Sequence, residues 1–533
     1  MGAVIRQCTA QDAVPWAELF NVCMGDDYPE RQVYDLGWVA ERLSTPGGDE
    51  TWAAEAQGRL VAAVSLLEPS LANRNPITNL GREIFRPESL KDGSAQGLLN
   101  KITQLSESRK QVVVARVFAS DNARQALFEQ SGFVCVGFQP FKHMLRTREG
   151  VLFYLRQVPA SAMSRLPISE SLSQVSELAT TVLANLKVTA PLSVRDGVTG
   201  YPLQRELQYL DATLEEYKET RLKAESFNPP VEISGGFNLG WGAMRVSATS
   251  SVKALLAKVE DAVVAGLAFA VDDRDRCVRL VDGFATDDLS MGAAFQRVVK
   301  LAQEKHNAVY IEADLLMTAP RLLKCTEQLG FVPVAYLPGF YSKGAACVDV
   351  VKLVKLNMAY GLESAKLTTH AKTIADIVDR NFQDQKVGVA IINLLRGLPV
   401  FEGLGDGELR KIARLFTQKL FRPNDRIFSK GDSGSEAYIV MRGQVDIVLE
   451  EGGKPLASLG TGQIFGEQAF LDGAPRGALA LASQPSILLV VQRTAFNELV
   501  QREPHLGMVV MRNIALTLSN RLRRSTTPPG AKA

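Results

Sequence analysis

One plan of elements occurs twice in this chain, about 200 residues apart, and nothing else in the sequence limits the possible folds so tightly. In residues 85–95 a strand-like run ending at Phe85 passes through Pro87, Lys91, Asp92 and Gly93 into Ser94 and Ala95. There an amphipathic helix through Ile102 and Leu105 begins. Residues 284–294 repeat this, from Phe284 through Leu289 and Ser290 to Met291, Gly292, Ala293 and Ala294. Each copy leads to a segment closing on Gly-Phe, at Gly132-Phe133 and Gly330-Phe331, and Phe331-Val332-Pro333-Val334 echoes Phe133-Val134-Cys135-Val136. Repeats of this size mean duplicated domains, not a solenoid. A chain of 533 residues has room for roughly three or four domains.

A second motif lies beyond both copies, in residues 465–478. Phe465, Gly466, Glu467, Gln468 and Ala469 are followed at a fixed distance by Pro475, Arg476, Gly477 and Ala478. Small residues let backbone N–H groups approach an anion closely. Arg476 offers a planar fork suited to phosphate oxygens, Pro475 fixes the backbone before it, and Glu467 can accept from a sugar hydroxyl. The segment resembles the phosphate-binding cassette of cyclic-nucleotide-binding domains, and the likeness extends over about residues 395–525. Residues 398–404 resemble that family's entry helix, and 428–432 and 438–445 its first barrel strands, with glycines at the turns as a jelly roll requires. The resemblance implies a cyclic nucleotide as regulatory ligand. A Thr after the arginine favours cGMP in the family; Gly477 has no hydroxyl, which leans toward cAMP.

The duplicated plan is similar to the GNAT N-acetyltransferase superfamily, on residues 85–95 with the closing Leu127-Phe128-Glu129-Gln130-Ser131-Gly132-Phe133, and again on 284–294 with Cys325-Thr326-Glu327-Gln328-Leu329-Gly330-Phe331. That likeness implies acetyl-CoA or another acyl-CoA as co-substrate. Its pyrophosphate would lie on the helix N-terminus at Lys91, Asp92, Gly93, Ser94 and Ala95, or at Leu289, Ser290, Met291, Gly292, Ala293 and Ala294. Both copies depart from the family alike. Leu90 and Leu289 stand where Arg or Gln is usual, and Phe128 and Thr326 where a Tyr protonates the departing thiolate. Glu83 and Asp282, each two residues before the Phe, are candidate general bases, with solvated strand-end carboxylates as the alternative; Glu312 and Asp314 are weaker candidates. Position beside the nucleotide domain favours the second copy as the regulated acyl-CoA site and Lys91 favours the first; proximity outweighs one lysine, so the second copy is the expected acyl-CoA site.

The expected fold is multidomain α+β. Two tandem GNAT-like mixed-sheet domains, 1–158 and 228–358, precede a β jelly roll at 395–525, with helical linkers at 159–227 and 359–394 and a frayed tail at 526–533. In the first linker Leu172, Val175, Ala179, Val182 and Leu186 share one helical face, and Leu203, Leu207, Leu210, Leu214 and Tyr217 form a second stripe at heptad-like spacing. Gln57-Gly58-Arg59 reads as a hairpin turn between two strands.

Composition excludes several classes. A net charge of +2 argues against nucleic acid as a partner. The short stretch after the last helix, with Arg521, Arg523 and Arg524, leaves no room for a helix-turn-helix, so no DNA is expected. Six scattered cysteines and four histidines show no metal-ligand spacing, so no metal is expected and the thiols are expected free in a reducing cytoplasm. No apolar run reaches membrane-spanning length and no signal peptide is read. Two functions fit: a cAMP-regulated N-acetyltransferase acting on a protein lysine or other amine, similar to bacterial protein lysine acetyltransferases, or a non-catalytic nucleotide sensor. Oligomeric state stays open.

Overall fold

The computed structural model describes residues 3–25, 28, 30–45, 49–67, 77–157, 165–189, 192–195, 197–225, 250–343, 346–358, 365–387 and 389–526. The chain divides into two compact units, 1–382 and 383–533. The expected start of the second repeat at 228, the last residue of the first (158), part of the first linker (including 159–164) and nearly all of the tail (527–533) lie outside the described residues.

Unit 1 is built on a 14-stranded sheet formed by both repeats. The first half contributes β1 (Val4–Gln7), β2 (Glu50–Ala56), β3 (Arg59–Leu67), β4 (Ile77–Phe85), β5 (Val112–Phe118), β6 (Val134–Met144) and β7 (Arg148–Arg156). The second contributes β8 (Gln208–Ala212), β9 (Ser250–Val259), β10 (Ala262–Asp272), β11 (Cys277–Ala285), β12 (Tyr310–Leu316), β13 (Val332–Lys343) and β14 (Ala346–Leu356). The sheet order is β1-β2-β3-β4-β5-β7-β6-β13-β14-β12-β11-β10-β9-β8, so the halves meet back to back, each strand having its counterpart seven places on. Helices follow the correspondence in part, four in the first half against three in the second among the described residues. The first half has α1 (Ala13–Met24), α2 (Leu36–Ser44), α3 (Ser94–Ser108) and α4 (Asn122–Gln130). After α5 (Ser173–Asn185), the second has α6 (Leu214–Glu225), α7 (Met291–Glu304) and α8 (Pro320–Gln328).

Local sequence explains the layout. The β2–β3 hairpin turns at Gln57 and Gly58, both at positive φ, which suits the right-handed twist of the strands. Within this sheet each half has one parallel pair among the described residues, and it is short. β4 runs beside β5 only over Ile77 to Asn79, and β11 beside β12 only over Cys277 to Leu280, after which the strands part. Each half also carries a β-bulge just there, between Ala63 and Ser65 against β4 and between Ala268 and Phe269 against β11. Bulges of this kind re-aim side chains next to functional clefts.

The halves join where β6 meets β13 at Gly137 and Ala335. A Cβ on Gly137 would stand 2.1 Å from that of Ala335, so only glycine permits the approach. The seam is polar. Gln139 Nε2 donates to Tyr310 and Glu312 at 2.9 Å each, and Lys142 Nζ lies 2.9 Å from Glu312.

The first expected linker helix is present as α5, with Val175, Leu178, Ala179 and Val182 buried. The second stripe is corrected. Residues 203–207 are not helical, Leu210 lies in edge strand β8 opposite Leu256, and only Leu214 and Tyr217 enter a helix. Pairing with the edge of β9 overrides the seven-residue spacing, because strand hydrogen bonds are available there and a second helix surface is not. β8 and α6 therefore belong to the second half, not to a linker.

Unit 2 folds as two four-stranded antiparallel sheets. One has the order β15 (Phe416–Phe421), β22 (Ser486–Gln492), β17 (Glu436–Arg442), β20 (Ile464–Phe465). The other is β16 (Arg426–Phe428), β21 (Leu479–Ala482), β18 (Val445–Val448), β19 (Ala457–Leu459). Helices Val389–Arg396 and Asp406–Ala413 precede this roll, and Arg493–Arg502 and Pro504–Thr526 follow it.

Candidate functional sites

In unit 2 the residues from Phe465 to Ala478 fold around one buried guanidinium. Phe465 ends β20, Gly466 turns at φ +75°, and Glu467, Gln468 and Ala469 open a six-residue helix, Glu467–Asp472. Pro475 and Gly477 are exposed, Ala478 is half-buried, and Arg476 between them is 4% exposed. Backbone bonds tie that position to the facing loop: Gly431 donates to the Arg476 carbonyl at 2.7 Å, and Arg476 N donates to Asp432 at 2.8 Å. The guanidinium lies 4.3 Å from the centre of the Phe428 ring and 5.7 Å from that of Tyr438, a cation–π cage. Nη1 donates to the Gly466 carbonyl at 2.9 Å and Nη2 to the Glu436 carbonyl at 2.8 Å. Nε is buried without a hydrogen-bond partner among the described residues. Gly434 faces the group, and a Cβ there would come within 2.4 Å of Nε. An orphaned donor on a caged cation, beside a position that must lack a side chain, fits an oxyanion ligand.

Residues 418–503 match the family model of the cyclic nucleotide-binding domain. Unit 2 carries a cyclic nucleotide-binding domain. The chain is 34% identical over 134 residues to the cyclic AMP receptor protein of Thermus thermophilus, covering 25% of this chain and 60% of that protein. It is 30% identical over 106 residues to a cAMP-dependent protein kinase regulatory subunit of Yarrowia lipolytica, covering 20% of this chain and 28% of that one. Among solved structures, the Thermus thermophilus catabolite activator protein shares 35% identity, with a TM-score of 0.22, over 24% of this chain and 59% of that one. The chain thus spans less than two thirds of these relatives.

Sequence reasoning named the cassette but missed Gly434, Glu436, Phe428 and Tyr438 as the wall facing Arg476. One signal was there to find: Glu436 and Tyr438 sit two apart at the start of a strand, and so share a face.

In unit 1 the first half opens a cavity of about 190 Å³ where β4 and β5 part, lined among others by Tyr28, Glu83, Arg116, Arg124 and His143. Glu83 lies in the bulged part of β4. Its Oε1 is buried with no hydrogen-bond partner among the described residues, and burial pushes its carboxyl above the ordinary value. Burial and the charge of Arg279 bring Arg116 down to about 10. Nearby, the loop ahead of α3 is accessible. Lys91, Asp92 and Gly93 are exposed, Gly93 caps the helix at φ +85°, and a Cβ on it would meet nothing within 4 Å. Ser94 and Ala95 are buried in the first turn, with Ser94 N donating to Asp92 at 2.8 Å.

The second half fills the equivalent positions with its own chain. Asp282 is 1% exposed and accepts from Tyr217 at 3.2 Å, while Arg221 Nε lies 2.8 Å from the same oxygen; both partners come from α6. Ser290, Met291, Gly292, Ala293 and Ala294 are buried at the start of α7, and Leu289 alone is exposed. The stretch 200–205 lies along them. A Cβ on Gly292 would meet the Pro202 carbonyl at 2.5 Å, Arg205 bonds Asp287 at 2.7 Å and also Ser290, and the Tyr201 ring stacks under Arg321 of α8. The amides of Leu289 and Ser290 are taken by Asp287.

Glu312 and Asp314 are buried. Glu312 pairs with Arg279 and Lys142, which hold its carboxyl well below the usual range against the opposing effect of burial, and Asp314 pairs with Lys352 at 2.5 Å.

Proposed function

We propose that this chain is a cyclic-nucleotide-regulated, acyl-CoA-dependent N-acyltransferase whose chemistry runs in the first half of unit 1. The observation that carries it is the Glu83 carboxyl, buried, unpartnered at Oε1 and raised in pKa, in a cavity at the parting of two strands. The acyl-CoA pyrophosphate rests on the start of α3, beside Lys91 and the open Gly93. Bound acyl-CoA supplies the activated acyl group. Glu83 accepts the proton of the attacking amine, and the acceptor is a protein lysine or another amine. The contrast with the filled second half reverses the preference that chain position gave to Gly292.

The nucleotide is cAMP. Gly477 is exposed with open space around it and no hydroxyl to hold a guanine amino group. Its phosphate pairs with Arg476 and its ribose with Glu467, and its binding modulates transfer.

One observation favours the second reading, a sensor without turnover. Phe128, standing where a proton donor is expected, is fully buried against Phe133 and Tyr154. Thiol release from acetyl-CoA in the presence of a protein mixture, with and without cAMP, decides between them. Transfer by the wild type that responds to cAMP and is lost in Arg476→Ala supports the enzyme. No release above a Glu83→Gln control in either condition leaves the sensor. Arg476→Ala should weaken cAMP on the order of a hundredfold by calorimetry.

A further inference from the structure

An arginine grips a phosphate best along one edge, through Nε and Nη2 together. On Arg476 that edge is half free. Nε has no partner among the described residues, whereas Nη2 donates to the Glu436 carbonyl at 2.8 Å and to its Oε2 at 3.3 Å. The Glu436 carboxylate is steadied from its other side by Gln492 Nε2, 3.2 Å from Oε1, and its side chain is 27% exposed. The edge also faces Gly434, where a Cβ would lie 2.4 Å from Nε and 2.5 Å from Nη2.

We infer that Glu436 is the affinity-setting residue of the nucleotide site, a carboxylate that holds the phosphate's place on Arg476 and must be displaced or crowded when the nucleotide binds. The inference rests on the cyclic-nucleotide reading of the pocket. A caged guanidinium with no counter-charge is costly, so the ligand-free protein gains from the carboxylate. An arriving phosphate brings a second negative charge to the same nitrogen, and like charges a few ångströms apart in a partly buried site repel. Glu436 thereby stabilises the empty pocket and weakens the filled one.

The test compares wild type with Glu436→Gln, which keeps the shape and an acceptor oxygen but removes the charge. Calorimetry at low salt should show cAMP binding about tenfold tighter in the variant, with the gain shrinking as salt rises. Adenosine, which has no phosphate, should bind both proteins equally. Equal or weaker cAMP binding by the variant overturns the inference, because a residue that merely positions Arg476 would give that result. So does an equal gain for adenosine. If the Gln variant fails to fold, Glu436→Asp keeps the charge and withdraws it by one methylene. A smaller tightening of cAMP is expected there, and none overturns the inference. No binding of cAMP to the wild type overturns the nucleotide reading itself, a different failure.

Discussion

The two halves of unit 1 repeat each other strand for strand, and both bulge where a short parallel pair comes apart. What lies in that parting differs. In the first half Glu83 faces a cavity and the helix-start loop is open. In the second, α6 delivers Tyr217 and Arg221 onto Asp282, and residues 200–205 lie on the helix start. The same backbone thus presents one carboxylate to a cavity with Oε1 unpartnered among the described residues, and the other as half of an ion pair. A duplicated fold can keep its geometry while the space at the parting of the strands differs, because the bulge and the splay are properties of the strands and that space depends on what packs into it.

The sharpest way to break this contrast is to neutralise the two carboxylates in turn. Glu83→Gln should reduce acyl transfer by about 10²–10⁴-fold at saturating acyl-CoA, the range for loss of a general base. Asp282→Asn should leave the rate unchanged. The pH dependence carries a sign. Glu83 acts only when ionised, and its carboxyl titrates above the ordinary 4.5, so the rate should rise with pH over a window above that value and lose this limb in the variant. Stability runs the other way. A raised carboxyl favours the protonated form in the folded state, so ionisation destabilises the fold as pH rises through the folded value. Glu83→Gln should therefore melt higher than wild type near neutral pH, and the gap should close on acidification.

The glycines give the next largest effect. Gly93→Glu places a negative side chain at a position of φ +85° in the open loop, and should weaken CoA on the order of a hundredfold by calorimetry. Gly292→Ala should leave CoA affinity unchanged and lower stability by about 1–3 kcal/mol, since its Cβ runs into the Pro202 and Tyr201 carbonyls. CoA affinity lost in Gly292→Ala and kept in Gly93→Glu would return the site to the second half.

The repeated strand–loop–helix plan at 85–95 and 284–294, the roll of unit 2 and the cassette around Arg476 were legible because each rests on local signals. Those signals are strand runs, turn glycines such as Gly58, and a cassette whose residues lie within fourteen positions of one another. The filling of the second cleft was not legible. Tyr217 and Asp282 meet across 65 positions, and Arg205 and Asp287 across 82, distances at which sequence spacing carries no contact information. The misreading of 203–217 has the same origin. Leucines seven apart suit a helix equally whether or not a strand edge waits at Leu256, and only the folded sheet supplies that edge.

The smallest effect tests whether residues 200–205 are held by charge or by shape. Arg205 bonds Asp287 at 2.7 Å and reaches Ser290, but both charged side chains are partly open, at 24% and 33%. An ion pair of that exposure contributes at most about 1 kcal/mol. The rest of the contact is shape: the Tyr201 ring under Arg321 at 4.1 Å, Gly200 against Cys325 and Gln328, and the Pro202 carbonyl over Gly292. Arg205→Ala should therefore lower the midpoint of thermal unfolding only slightly and leave the second half unable to bind CoA. Tyr201→Ala removes a nearly buried ring and should lower it further. CoA binding that appears at a second site in Arg205→Ala alone would mean that a single salt bridge keeps the second cleft closed. The two halves would then differ by one charge pair, and not by a packed segment of chain.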